Sequence, residues 1–86
     1  MNQQPKMTFI RKREDGRGRL KMLTNFQITD ELREAIRQTR GVNYLLSNIL
    51  KAERHEIELE YAPLVGPAGT ENEIRATVKQ FFTNQK

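Results

Sequence analysis

Residues 19–29, RLKMLTNFQIT, alternate in polarity and run directly into a helix start. Successive side chains of a strand point to opposite faces. Leu20, Met22, Thr24, Phe26 and Ile28 therefore share an apolar face with a threonine at its centre. Arg19, Lys21, Leu23, Asn25 and Gln27 share the other. Even an isolated hairpin is marginal in water. The strand needs a neighbour along its edge and a helical layer against its apolar side, which makes the expected class α+β.

The helices follow from capping and periodicity. Thr29 is placed to N-cap a first helix, with Asp30 and Glu31 complementing the dipole. Leu32, Ala35, Ile36 and Thr39 give its inner stripe, and Arg37, Arg40 and Gly41 mark its end. A second helix is predicted from Asn43, with Val42 just before it and a wide stripe of Leu45, Leu46, Ile49 and Leu50 that a dimer core would consume. His55–Tyr61 alternates strictly, a strand signal, yet its Glu and Leu residues also suit a continuing helix, and both readings stay open. Pro63 and the run Gly66–Gly69 predict a linker over 62–69. Thr70 and Glu73 form a capping box for a last helix over 70–86, whose stripe is Ile74, Val78, Phe81 and Phe82 with Thr77 alongside.

Upstream, MTFIRKR, then Glu14-Asp15-Gly16, then RGRLKML fits either a hairpin or a flexible basic arm over residues 1–18. Residues 1–21 hold seven cations (Lys6, Arg11, Lys12, Arg13, Arg17, Arg19 and Lys21) against Glu14 and Asp15. This concentration of charge points to a polyanion, most often nucleic acid. A merely solvated tail is the alternative.

At 86 residues there is room for one domain and tails. Only 36% of residues are hydrophobic, with no Trp or Cys, so association is an expected source of stability. The lack of Cys excludes a disulfide framework and a thiolate zinc site. No apolar run approaches the roughly 20 residues of a membrane span, and MNQQPKMTF lacks the apolar core of a secretory signal. The expectation is a soluble, cytoplasmic protein with no membrane contact. Catalysis is not expected: His55 is the only histidine, Ser47 has no base nearby, and Glu56, Glu58 and Glu60 lack further ligands for a cation. Neither metal nor cofactor is predicted.

The polar face of residues 19–28 fits either an ordinary amphipathic strand with a wet face or a groove reader. Asn and Gln can pair with adenine, Lys can reach guanine acceptors, and Leu23 can meet a thymine methyl. The order of basic arm, alternating strand, short helix, tight turn at Arg40-Gly41 and second helix resembles the ribbon-helix-helix family over residues 20–54. That resemblance implies an intertwined homodimer on double-stranded DNA, with strands of two copies paired as a ribbon. Bases would be read by Leu23, Asn25 and Gln27, with Lys21 at the margin. A phosphate clamp would fall on Val42, Asn43 and Tyr44. The chain departs from the family in having neither Ser nor an acid just after Gly41. Gly16-Arg17-Gly18-Arg19 is also similar to the core of AT-hook segments, with Leu20 where a proline usually follows, which would put Arg17 and Arg19 in a minor groove. The function so implied is sequence-specific DNA binding, as a repressor or organiser of a DNA site. The alternative is a small adaptor or inhibitor of a larger complex, contacting it through the basic hairpin and the C-terminal helix.

Overall fold

The computed structural model describes residues 4–14, 17–43, 49–53 and 55–84. Its elements are β1 (Met7–Glu14), β2 (Arg17–Thr24), α1 (Asp30–Arg37), β3 (Ile49–Glu53), β4 (Glu56–Glu60) and α2 (Gly66–Thr83). The strands form one antiparallel sheet in the order β1-β2-β4-β3. The α+β class follows directly from these elements.

The alternation seen in the sequence is what builds the core. Leu20 and Met22 of β2 lie opposite Leu59 and Ile57 of β4, and all four are fully buried. Against them pack Leu32 and Ile36 of α1 and Ile74 and Val78 of α2. Burying a side chain of this size contributes about 1.5–3 kcal/mol, so these few positions carry most of what a chain this small can gain.

α1 begins as capping predicts, the Thr29 hydroxyl accepting from the Leu32 N–H at 3.2 Å. Its inner stripe is the expected one, with Leu32, Ile36 and Thr39 buried. Thr39 donates to the Ala35 carbonyl at 2.9 Å and sits 2.7 Å from the Thr77 hydroxyl, joining the turn after α1 to α2 through a partly buried polar contact.

Three expectations are corrected and two open readings are settled. Of the two readings open for the basic N-terminal stretch the hairpin is observed, β1 pairing with β2 so that Met7 lies opposite Thr24 and Glu14 opposite Arg17. The central strand is shorter than its pattern: it stops at Thr24, whose hydroxyl donates to the Phe26 carbonyl at 2.6 Å and turns the chain. The second helix is replaced, where the structure describes it, by β3 at Ile49–Glu53, which completes the sheet on the outer edge of β4. Sheet pairing has overridden helix propensity there, while Leu45, Leu46 and Ser47 lie outside the described residues. Residues 56–60 resolve as strand, as their alternation indicated.

The last correction concerns the linker, because α2 starts at Gly66 and absorbs the Gly-Pro run. Proline is tolerated in a first helical turn, where its missing N–H is unneeded. Thr70 therefore caps nothing. It is fully buried and donates to the Gly41 carbonyl at 3.4 Å.

β2 is hydrogen-bonded on both edges within its own chain, to β1 and to β4. An intertwined ribbon through residues 20–28 needs one of those edges free, so that pairing is not available to this fold as it stands.

Candidate functional site

Two surfaces concentrate the chemistry. The first is the sheet face opposite the core. β1 contributes Lys12, β2 contributes Arg17, Arg19 and Lys21, and β4 contributes Glu56, Glu58 and Glu60. Lys21 reaches Glu56 at 3.4 Å, Lys12 reaches Glu58 at 3.9 Å, and Arg17 reaches Glu60 at 3.9 Å. Glu60 is buried, but the cation of each pair is at least partly exposed, and solvent screening holds such pairs to about 1 kcal/mol or less. Their larger effect is on the field. The acidic strand offsets much of the basic hairpin's charge, and phosphates approaching this face would meet carboxylates.

The residues singled out as base readers are dispersed. Leu23 is half-buried, opposite Thr8 and Glu56. Asn25 leaves the sheet and ties down the start of the chain. Its Oδ1 accepts from the Lys6 N–H at 2.8 Å, its Nδ2 donates to the Gln4 carbonyl at 3.1 Å, and its own N–H donates to the Lys6 carbonyl at 3.2 Å. An amide so engaged is a structural clamp. Gln27 is exposed in the turn before α1. Arg17, Arg19 and Lys21 do share one face, as the alternation requires, but among glutamates.

The expected phosphate clamp is likewise engaged internally. Val42 donates its N–H to the Thr39 carbonyl at 3.1 Å and bridges Tyr61, and Asn43 donates to the Glu60 carbonyl at 3.0 Å. Neither backbone donor is left for a phosphate. Tyr44 lies outside the described residues.

The second surface is an open groove of about 790 Å³ between residues 4–7 and the C-terminal half of α2. Met7, Val78 and Phe82 supply its apolar lining, Gln4 and Pro5 one wall, and Arg75 and Lys79 its cations. Arg75, Val78, Lys79 and Phe82 follow the i, i+3, i+4, i+7 spacing of one helix stripe. Two contacts hold α2 in place beside β1, and ring contacts at Phe82 add to them. Arg11 and Glu71 form a two-pronged ion pair with Nε–Oε2 at 2.8 Å, and Glu71 holds the guanidinium pKa above its ordinary value, first by the hydrogen bond and then by charge. The Arg75 guanidinium lies 4.8 Å from the centre of the Phe9 ring. Phe82 meets Phe26 edge-on at 5.1 Å and Phe81 at 5.7 Å.

As apolar stripe residues of the last helix, Phe81 and Phe82 suit either the core or a partner's groove. Both are half-buried on the chain's own core. Sequence reasoning does not find the groove. The signal was present as two cations one turn apart beside Val78 and Phe82, but the Asn25 tie that makes the opposite wall links positions 19 and 21 residues apart.

His55 is exposed at the turn into β4, its Nδ1 2.9 Å from the Phe26 carbonyl oxygen, and its own carbonyl accepts from Thr24. Among the described residues no cluster of three or more His, Cys, Asp or Glu is placed to hold a metal ion, and no helix is long and apolar enough to cross a membrane.

Comparison with protein-family models, curated proteins and solved structures gives no match in any of the three.

Proposed function

We propose that the chain is a small, non-enzymatic protein-binding module that holds a segment of a larger partner in the groove between residues 4–7 and α2. This is the adaptor reading, with the contact surface moved from the basic hairpin and the C-terminal helix to the groove between α2 and residues 4–7. The observation that carries it is the groove itself, a partly open cleft of mixed lining in which Met7 and Phe82 lie beside Arg75 and Lys79. Apolar area supplies affinity, and the neighbouring charges select the partner and speed its approach.

The test is affinity capture with three forms of the full chain, with recovered proteins identified by mass spectrometry. Wild type and the hairpin variant Arg13→Glu/Arg17→Glu should recover one common partner, which Arg75→Glu/Lys79→Glu should lose. Equal recovery on all three forms would discard the groove as the binding surface.

DNA binding is the second reading, favoured by one observation. Arg13 and Arg17 are exposed at the end of the hairpin, past the last β4 pairing with Arg19. In this reading the hairpin end meets phosphates as an arm, and homodimerisation in the ribbon-helix-helix manner would require β2 to release a neighbour. Each phosphate contact adds about 0.9 to the slope of log affinity against log salt. Arg13→Ala should then lower that slope by roughly 1 while weakening all sequences alike. Duplex affinity that ignores both salt and Arg13 removes this reading.

A further inference from the structure

The outer edge of β1 adds a feature that the groove alone does not explain. Among the described residues no strand pairs with it, since β1 is the first strand of the sheet. The Asn25 N–H donates to the Lys6 carbonyl, which sets the phase of the ladder. By the antiparallel alternation, Thr8, Ile10 and Lys12 turn their backbone groups toward β2. Met7, Phe9, Arg11 and Arg13 then turn theirs outward, four residues' worth of donors and acceptors running on from Met7 in the groove wall. An exposed edge of this length is a template for another strand unless it is covered or repelled.

Resting on the protein-binding reading, we infer that β1 takes up an extended acidic segment of the partner as a fifth strand, with carboxylates toward Arg75 and Lys79 of α2. Three observations select that occupant. A second copy of β1 would bring its own Arg11 and Arg13, which share the face of Met7 and Phe9, toward Arg75 and Lys79, and like charges repel. The molecule already contains the complementary pairing: β2, carrying Arg19 and Lys21, is matched to β4, whose sequence EIELE alternates acid with aliphatic. Finally, neither Arg75 nor Lys79 is in an ion pair among the described residues, although most cations of the hairpin are. The backbone edge would give affinity and the groove specificity, as in other strand-addition complexes.

The experiment titrates a capped synthetic peptide of residues 55–61, HEIELEY, into the isotope-labelled full chain and follows backbone amide signals. Shifts are expected at Met7, Phe9, Arg11 and Arg13, with saturation. Charge reversal Arg75→Glu/Lys79→Glu should weaken binding roughly tenfold, and Lys79→Glu alone should act in the same direction without disturbing the Arg75–Phe9 contact. A peptide with lysine in place of each glutamate, and one N-methylated at alternate amides, should not bind. If the N-methylated peptide binds as well as the parent, strand addition is wrong while the groove as a protein site survives. Shifts confined to residues 19–23, meaning that the peptide merely displaces β4, or no saturable shift at all, would also overturn the inference. So would a chain that doubles its 10.1 kDa mass through the β1 edge, or a DNA duplex that shifts the same amides and displaces the peptide.

Discussion

The Tyr61 ring lies directly across Gly18, so close that a Cβ added there would sit 2.1 Å from the ring Cζ. The Tyr61 N–H also donates to the Gly18 carbonyl at 3.2 Å, so the β4 end of the sheet is pinned to the hairpin at this point. A glycine in mid-strand ordinarily weakens it. Here it makes room for an aromatic lid.

Gly18→Ala should therefore destabilise the fold by about 1–3 kcal/mol, the usual cost of overpacking. In a chain of this length each kcal/mol lowers Tm by roughly 4–8 °C. Thermal and urea unfolding measure it, and the same substitution made on a Tyr61→Ala background should be close to neutral. A full loss on both backgrounds would show that the ring is not the cause.

Gly41 and Gly66 separate backbone strain from crowding. Both have positive φ, 96° and 78°. A Cβ at Gly41 would lie 2.6 Å from the Thr70 hydroxyl oxygen, whereas one at Gly66 would meet nothing within 4 Å. Gly66→Ala should cost about 1–2 kcal/mol from conformation alone, and Gly41→Ala measurably more by urea unfolding.

Asn25→Ala should act on the start of the chain rather than on nucleic acid. Three hydrogen bonds join Asn25 to residues 4–6, two of them through its side chain. Each contributes about 1 kcal/mol or less at an exposed site. Amide hydrogen exchange at Lys6 should accelerate while exchange in β2 and β4 stays unchanged. Loss of protection throughout the sheet would contradict a local tie.

Core truncation should be felt only where the sheet meets the helices. Leu59→Ala and Ile57→Ala remove fully buried side chains and should each cost about 2–5 kcal/mol. Leu64, the most exposed large hydrophobic residue described, should tolerate Ala within about 0.5 kcal/mol. Urea midpoints with unchanged slopes would verify the contrast.

Much of the fold could be read in advance where the signal is local. Thr29 as a cap, the stripe of α1 and the paired faces of Leu20/Met22 and Ile57/Leu59 are properties of neighbours in sequence. The second helix was misread because Ile49 and Leu50 carry a helical spacing but border the free edge of β4, and pairing there outweighs a propensity difference of about 0.7 kcal/mol per residue at most. The strand placement of Asn25 and Gln27 fails for a related reason: alternation continues through residue 28, but β2 ends at Thr24, whose hydroxyl donates to the Phe26 carbonyl.

Alternation and capping thus determined that this chain mixes strand with helix and which side chains are buried, since both depend on contacts within a few residues. Which strands become neighbours is a different matter. It was decided by β4 closing on β2 across more than thirty residues, which placed glutamates beside the basic hairpin and left β1 as an edge. Charge counts along a chain do not show such neutralisation, because a field depends on distance in space and the partners are far apart in order.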